Sequence, residues 1–395
     1  MADADEDDDD DADAGMDECV KPQYSMSPDS FALRYSDDED TSYKIRRSAT
    51  KLLAGIIATR PELLITMYKD VSPVLISRFG DREETVRLEV WATYVILLNQ
   101  TSVYGGGSSK DETPRGKRKR DTETMDVEEG PYTLLKGQVP SLSKALLNQL
   151  KSSKTSVACL QAGFGLLRTL LDVLPGSLSN QVSTLTTTSK TILAQPPTTS
   201  TSSLQLACLS FLGLFYSTHS PPTFTSSLGA LVPVLQRSIG EKHPRIAAES
   251  FRVFSSLLNA LKPVKNSDWT EVVYTQAVTR LSSNDTDAEV RSTAEDCIAD
   301  LWICATDLTK TKNRKEWEAI CRSTGKTENA VKVVTKVAKE VQIGDDWVNG
   351  CVEWLLNLLR KSARAGKTEI FSALEVLLKR CLFCVCYPSM TDPPR

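Results

Sequence analysis

Two histidines, His219 and His243, are the only imidazole side chains in this chain of 395 residues. Catalysis by an activated serine or cysteine would need one of them as a base, oriented by a carboxylate. His219 precedes Ser220-Pro221 and His243 precedes Pro244, so both are expected near helix boundaries. Neither lies in a catalytic motif. We therefore predict a protein that is not an enzyme and name no catalytic residue.

Ten cysteines raise the question of a metal site or a disulfide framework. Zinc needs four well-spaced Cys or His ligands, whereas Cys381, Cys384 and Cys386 form a C-x-x-C-x-C group without a fourth ligand nearby. Most of the other cysteines lie in apolar helical stretches, as expected for buried free thiols in a reducing compartment. The sequence also has no phosphate-binding loop motif. We predict no bound metal and no cofactor.

A dense basic run is the clearest short motif of the chain. It contains Arg115, Lys117, Arg118, Lys119 and Arg120, within a polar insertion that opens with glycines. Such a run can fit the acidic groove of an import receptor, can be a merely solvated stretch of charge, or can touch nucleic-acid phosphates non-specifically. No aromatic residues are interleaved to stack on bases, so specific nucleic-acid binding is not expected. We treat the run as a nuclear-localisation candidate and expect the protein in nucleus and cytoplasm.

Charge is unevenly distributed along the chain. Residues 1–40 hold sixteen acidic and two basic side chains, a balance of −14 that leaves +10 for the rest of a chain whose total is −4. So polar a segment cannot offset the entropy of ordering, and we expect a disordered tail. It either solvates the protein or docks on a basic partner or on the basic body. The sequence has neither a signal peptide nor an apolar run long enough to span a membrane, so no membrane contact is expected.

From residue 42 onward, apolar residues recur at helical spacing in units of two helices joined by a short polar turn. Each second helix is predicted to begin with an apolar anchor that packs inward. Successive anchors are 41, 71, 47, 42, 44, 41 and 39 residues apart, and the interval of 71 contains the polar insertion. A period of about 40–47 residues is typical of HEAT or armadillo arrays. The anchors are Ile45, Val86, Val157, Leu204, Ile246, Val290, Val331 and Ile370.

Three of these anchors follow an Asp in the turn and precede an Arg. The Asp side chain can cap the second helix, and the Arg can reach the previous turn or the Asp of a neighbouring repeat. The sequence therefore predicts an all-α fold, a HEAT-repeat superhelical solenoid of antiparallel helix pairs. A helical bundle without repeats is the alternative. The three groups are Asp40/Ile45/Arg46, Asp81/Val86/Arg87 and Asp287/Val290/Arg291.

Both ends of the pattern look cut, because helix 42–59 behaves as a second helix without its first. We expect a fragment of a longer solenoid or a truncated gene model. Pro73 falls inside a predicted helix and should kink it. The predicted segments are an acidic disordered tail (1–40), HEAT repeats (41–101), a disordered basic insertion (102–130), HEAT repeats (131–380) and an irregular tail (381–395).

Five tryptophans in the C-terminal part have two interpretations. Tryptophan is often a binding anchor, but several of these fall on the apolar phase of their helix. We therefore favour packing between repeats over a binding role. The residues are Trp269, Trp302, Trp317, Trp347 and Trp354.

Several short segments together resemble one family, the cullin-associated, neddylation-dissociated proteins, also described as TATA-binding-protein-interacting proteins. The resemblance covers residues 37–373 and is closest to fungal members over residues 313–366. The segments are SYKIRRSA (42–49), YKDVSPVLISRF (68–79) with REE (82–84), QVP (138–140) with KAL (144–146), DVLPG (172–176), and HSP (219–221) with ALVP (230–233).

The resemblance implies a long HEAT solenoid that wraps around a cullin–RING ubiquitin ligase core. Members bind cullins that lack the ubiquitin-like modifier and help to exchange substrate adaptors, so the implied partners are a cullin and a RING subunit. This chain resembles the N-terminal-to-middle section of the family. No cullin-binding residue can be carried over, and residues 115–120 lie outside the resemblance. The alternative function is a nuclear-transport receptor or adaptor, since such receptors are also helical solenoids.

Overall fold

The computed structural model describes seven stretches of the chain, and every regular element within them is a helix. Contacts divide the chain into two units, Met1–Ile45 and Arg46–Arg395, and the helix pairs lie in the second. The acidic tail predicted over residues 1–40 and most of the predicted insertion lie outside the described residues. These are residues 42–106, 130–152, 154–265, 268–283, 286–305, 327–341 and 345–386.

The described helices differ widely in length, because some first helices are interrupted by short 3-10 or π turns while the second helices are continuous. In chain order they are α1 (Ser42–Thr59), α2 (Leu64–Thr66), α3 (Ser72–Ser77), α4 (Glu84–Tyr104), α5 (Pro131–Lys151), α6 (Val157–Val173), α7 (Val182–Leu193), α8 (Ser202–Thr218), α9 (Pro221–Phe224), α10 (Leu228–Ile239), α11 (Pro244–Leu261), α12 (Asp268–Ser282), α13 (Ala288–Cys304), α14 (Thr327–Glu340), α15 (Asp345–Lys361) and α16 (Arg364–Cys386).

The second helices of the pairs pack on one another in chain order. α4 contacts α6, α6 contacts α8, α8 contacts α11, and the row continues through α13 and α14 to α16. α1 joins the row through the Thr93 hydroxyl and the Gln100 amide of α4, which donate to the carbonyls of Thr50 and Ala58. From α6 onward, each second helix begins 37–45 residues after the one before. We call this set of helices the second-helix row.

The first helices form a parallel series of contacts. α3 contacts α5, α5 contacts α7, α7 contacts α10 and α10 contacts α12, while each also contacts the second helix of its own pair. Repeating helix pairs in which each pair contacts its neighbours define a solenoid. The HEAT-type solenoid of antiparallel helix pairs predicted from the sequence is therefore confirmed.

Most of the predicted anchors are buried where the second helices begin. Val86, Leu204, Ile246 and Val290 each occupy the third position of their helix and are at most 3% exposed. Val331 and Ile370, further into α14 and α16, are 2% exposed.

Two anchor predictions are wrong. Val157 is 36% exposed because it is the first residue of α6 and lies before the first buried residue of that helix. Cys159 stands at the third position instead and is fully buried. Ile45 is 72% exposed. Cys159, whose thiol behaves as a small apolar group, is thus the anchor of α6.

An ion pair links two neighbouring repeats at Asp81. The guanidinium of Arg46 donates from Nε and Nη2 to the two carboxylate oxygens of Asp81, at 3.0 and 3.1 Å. The same carboxylate accepts from the backbone N–H of Glu83 at 3.0 Å, at the start of α4. Burial acts to raise the pKa of Asp81, but the Glu83 amide and the Arg46 guanidinium outweigh it and hold that pKa below its ordinary value.

The arginines that follow the other two anchors bind turn carbonyls instead. Arg87 donates to the carbonyl of Asp81 at 2.8 Å. Arg291 is only 5% exposed and donates to the carbonyls of Leu281 and Ser283, both at 2.8 Å. Carbonyls at the end of a helix have no partner within that helix, so these guanidinium groups satisfy acceptors that would otherwise be buried and unbonded.

A second pair of arginines closes the ends of the first helices across the repeat boundary. Arg237 in α10 donates to the carbonyls of Leu193 and Ala194, at the end of α7. Arg280 in α12 donates to the carbonyls of Ile239 and Glu241, at the end of α10, and both distances are 2.8 Å. The ends of α7 and α10 are therefore each capped by the next first helix.

The proline predicted to kink its helix produces a π-turn. The segment Met67–Val71 is π-helical and runs into α3, whose second residue is Pro73. Pro73 has no N–H, so the carbonyl of Tyr68 lacks the donor that the π register would supply. The side chain of Gln138 in α5 supplies it, donating to that carbonyl at 2.6 Å. Ser72 also donates to the Gln138 amide oxygen.

Two helix ends extend beyond their predicted positions. α4 continues to Tyr104, into the region predicted as insertion, and α16 continues to Cys386, six residues into the predicted irregular tail. Both extensions consist largely of residues that a helix tolerates, with no proline before the helix ends.

Replacing Arg291 tests the role of the turn carbonyls. Arg291→Met should lower the free energy of unfolding by about 2–4 kcal/mol, because it removes two charged hydrogen bonds and leaves the buried Leu281 carbonyl without a donor. Urea unfolding followed by helical circular dichroism measures it. Arg245→Met is the control, since Arg245 is exposed at the start of α11, and should change stability by less than about 0.5 kcal/mol. A cost for Arg291→Met as small as the control's would contradict this role.

Replacing Asp81 tests its lowered pKa. A carboxylate whose pKa is depressed on folding adds stability above its unfolded pKa, and that stability is lost as the pH falls. Asp81→Asn should lower the melting temperature by a constant amount between pH 7 and 5, and the difference from the unmodified chain should shrink below about pH 4. A difference that grows on acidification would refute the assignment.

Candidate binding surface

The second-helix row is uncharged at its middle helix and strongly charged in the helices that follow. α8, in the middle of the row, contains no Asp, Glu, Lys or Arg. The three helices α11, α13 and α14 that follow carry many exposed or half-exposed charges. These are Arg245, Glu249, Arg252, Glu289, Asp296, Lys332, Lys336, Lys339 and Glu340. The row thus offers a partner two chemically distinct stretches.

A charged groove of about 460 Å³ crosses this part of the row. One wall is Arg252 of α11, the other is Lys336 of α14, and their side chains are 48% and 43% exposed. α13 forms the floor because most of its side chains are buried between its neighbours. The lining residues are Arg252, Ser255, Ser292, Thr293, Asp296, Asp300 and Lys336.

Asp300 is the buried acid of the charged groove. It is 2% exposed and accepts hydrogen bonds from the Lys336 ammonium at 2.7 Å and from the Asn259 amide at 3.1 Å. A buried carboxylate is tolerated only when it is paired in this way. Asp300 therefore holds Lys336 in place at the groove wall.

Asp296 lies one turn before Asp300 and is only half-buried. Burial raises its pKa and Asp300 adds to this, while Lys336 acts in the opposite direction. Among the described residues, no side chain or amide donates a hydrogen bond to Asp296, and Arg252 is already bonded to Glu249 and Glu289, at 2.8 and 2.7 Å. The groove therefore contains a carboxylate that a cationic group from a partner can complete.

A second concavity, which we call the turn groove, lies between α5 and the turn that joins α6 to α7. Its volume is about 580 Å³. Two segments that carry the family resemblance, residues 138–140 and 172–176, contribute to its walls. The lining residues are Lys136, Val139, Pro140, Ser143, Leu174, Pro175, Gly176, Ser177, Ser179, Asn180 and Gln181.

His219 closes the C-terminal end of α8. Its ring stacks on Phe215 with centroids 4.1 Å apart, and Nδ1 donates to the Phe215 carbonyl at 2.9 Å. The side chain is 6% exposed. Burial lowers the pKa of the imidazole, and the hydrogen bond to Phe215 acts in the opposite direction without cancelling that effect. Its hydrogen-bond partners within the described stretches are that carbonyl and the Thr218 hydroxyl, so no carboxylate orients it as a catalytic base.

His243 immediately precedes α11, as the sequence predicts, and makes no side-chain capping bond to that helix. Its Nδ1 is buried without a hydrogen-bond partner in the part of the chain that the structure describes. His219 and His243 therefore occupy separate helix ends and do not form a common site.

The cysteines whose side chains are described are buried free thiols, as predicted: Cys159, Cys208, Cys297, Cys304 and Cys351. Burial raises the pKa of Cys208 to about 12 and that of Cys304 to about 11. A thiol becomes a nucleophile or a metal ligand only as the thiolate, which these two do not form near neutral pH. Among the described residues, no cluster of three or more Cys, His, Asp or Glu side chains is placed to hold a metal ion.

Two motifs named from the sequence fall where the structure does not describe side chains. The basic run Arg115, Lys117, Arg118, Lys119 and Arg120 lies between α4 and α5, outside the described residues. The cysteines Cys381, Cys384 and Cys386 lie in α16, where the backbone alone is described.

Three of the tryptophans pack as predicted. Trp302 and Trp347 are 3% and 5% exposed, and Trp269 stacks on Phe254 with ring centroids 5.7 Å apart. Trp354 is half-buried on α15, and Trp317 lies outside the described residues.

For membrane contact, no described helix is both long and apolar enough to cross a bilayer.

Comparison with protein families gives one match, described as "CAND1-like, TPR repeats", over residues 134–298. TPR repeats have a period of about 34 residues. In this stretch the second helices begin 42–45 residues apart, which is the HEAT and armadillo range.

Curated relatives carry the same family name. The chain is 34% identical over 267 residues to cullin-associated NEDD8-dissociated protein 1 of Arabidopsis thaliana, and 33% identical over 278 residues to that of Drosophila melanogaster. A fungal relative, the protein's "C-terminal part" in Emericella nidulans, is 25% identical over 314 residues. These alignments cover 66–68% of this chain but only 20%, 21% and 30% of the relatives. The chain spans about a fifth of the length of the plant and insect relatives.

Solved structures resemble the chain more distantly. A designed armadillo repeat protein matches with a TM-score of 0.42 and 10% identity, covering 77% of this chain and 99% of that one. Kap121p bound to Pho4p matches with a TM-score of 0.46 and 12% identity, covering 94% and 37%. Neither likeness is close enough to support an assignment, which rests on the sequence relatives. Residues 134–298 match the CAND1-like family, and the predicted resemblance of this chain to the cullin-associated, neddylation-dissociated proteins is confirmed.

Proposed function

We propose that this chain is a non-enzymatic scaffold that binds cullin–RING ubiquitin ligase cores lacking the ubiquitin-like modifier and promotes exchange of their substrate adaptors. The names of the curated relatives support cullin association. The structural observation behind the proposal is the second-helix row, which runs from α4 to α16 through direct contacts. Such a row offers an extended surface to another elongated protein.

Recognition on this surface would be electrostatic in the charged groove and by shape elsewhere. Asp296 would accept a Lys or Arg side chain of the cullin or RING subunit, since Arg252 and Lys336 are already paired with other acids. Complementary charges fix the position of a partner and speed its association. The neutral face of α8 would contribute close packing. Release would follow from losing these contacts, without covalent chemistry.

Capture of a purified cullin–RING core on the immobilised chain tests the proposal. We expect the core that lacks the ubiquitin-like modifier to be retained and the modified core to be retained at least tenfold less. Asp296→Lys should weaken capture about tenfold by placing a like charge opposite the partner's cation. Glu353→Lys, which reverses a charge at an exposed position of the first helix α15 and outside the second-helix row, is the control. Equal capture of both forms, or of neither by a folded chain, would refute the proposal. Retention of import cargo instead of cullin would favour a nuclear-transport receptor.

We also propose that the basic run binds an import receptor and places the protein in the nucleus as well as the cytoplasm. A chain fused to a fluorescent protein should lose most of its nuclear signal when Lys117, Arg118, Lys119 and Arg120 are replaced by alanine. Replacing four exposed lysines elsewhere by alanine is the matched loss of charge and should leave the distribution unchanged. These are Lys144, Lys151, Lys154 and Lys190. Nuclear signal that survives the first set of changes would exclude the run as an import signal.

A further inference from the structure

The turn groove is lined by polar groups that a bound chain could pair with. One is the main-chain carbonyl of Lys136. α5 continues through Pro140, and proline has no N–H to donate four residues back. The carbonyl of Lys136 therefore lacks its helical donor, and both Lys136 and Pro140 line the groove. A backbone N–H from another chain could supply the missing bond.

The opposite wall of the turn groove contains polar side chains as well. Ser177 lines the turn groove, and its Oγ is buried without a hydrogen-bond partner in the described structure. A buried polar atom without a partner costs roughly 1–3 kcal/mol, and because the fold encloses this oxygen, a ligand in the groove does not reach it. The side chain of Asn180, exposed on the same wall, can both donate and accept.

The wall that carries Ser177 is a fixed turn. Gly176 has φ of 78°, a conformation that glycine adopts without strain. The Ser179 hydroxyl donates to the Gly176 carbonyl at 2.7 Å, and the Ser177 amide donates to the Leu174 carbonyl at 3.3 Å. The polar groups are therefore held in place before any ligand arrives, which lowers the entropic cost of binding.

The groove also has an apolar floor and one charge. Val139 is 8% exposed, Leu174 is half-buried, and Pro140 and Pro175 stand exposed on opposite walls. At one end the exposed ammonium of Lys136 makes no ion pair with any described residue. A ligand that fits therefore combines an apolar group with a carboxylate.

We propose that the turn groove binds a short extended segment of another protein in which an acidic side chain stands near a leucine, isoleucine or valine. The apolar side chain packs between Pro140 and Pro175, and the carboxylate pairs with Lys136. The segment is extended because an extended backbone presents free N–H and C=O groups to the Lys136 carbonyl and to the Asn180 side chain, whereas a helix bonds its own. This site lies apart from the charged groove and does not depend on the proposed function.

Binding of the full chain to an array of capped hexapeptides tests this proposal. In a Gly/Ser background, the peptides carry Leu and Asp at varied separations, Leu alone, Asp alone, or Leu with Lys. We expect the chain to bind peptides with both Leu and Asp at least tenfold more strongly than the other classes. Lys136→Glu should abolish that preference and favour Leu with Lys.

Lys144→Glu is the matched control, because Lys144 is exposed on the same helix but does not line the turn groove. It should bind as the unmodified chain does. Lys136→Gln provides a second variant, which should lose the preference for Asp without gaining one for Lys. The proposal is overturned if Leu-Asp peptides bind no better than Leu alone, if no class binds, or if both Lys136 variants bind like the control.

Discussion

The structure depends on satisfying the backbone carbonyls at the ends of its helices. Each turn leaves acceptors unpaired, and in a stacked array many of these are shielded from water by the neighbouring repeat. Arg87 and Arg291 satisfy them within a repeat, while Arg237 and Arg280 do so across a repeat boundary. A guanidinium combines five donors in a rigid planar group with a permanent charge, on a side chain long enough to cover such an end. These arginines therefore fix how one helix pair meets the next.

Much of this architecture could be predicted from the sequence because it is periodic. The spacing of the anchors locates the second helices. The Asp-anchor-Arg groups anticipate that Arg46 reaches the Asp of a neighbouring repeat and that Arg87 and Arg291 reach the preceding turn, whereas Arg237 and Arg280 lie outside these groups. The predicted anchor of α6, Val157, is wrong because the helix begins at that residue, and the buried position of its third residue belongs to Cys159. The bond between Gln138 and the Tyr68 carbonyl joins residues 70 positions apart, and no local pattern signals it.

The binding surfaces were harder to predict than the fold. The charged groove brings together Arg252, Asp296 and Lys336 from three helices that neighbour one another only in the folded array. A signal was present, since Asp296 and Asp300 lie one turn apart, as do Lys332 and Lys336. Recognising it required knowing that these two faces meet. The histidines, by contrast, were correctly placed at helix boundaries, where they serve packing and helix ends.

The main contacts along the second-helix row run between neighbouring helices, and this has a mechanical consequence. Interfaces arranged in that way behave as springs in series, so that their individual compliances add and the weakest one takes most of any imposed strain. Small changes of angle at several interfaces can then accumulate into a large displacement between distant helices, at little cost to any single interface. A solenoid with this arrangement can deform to fit a bulky partner while every helix pair keeps its own core.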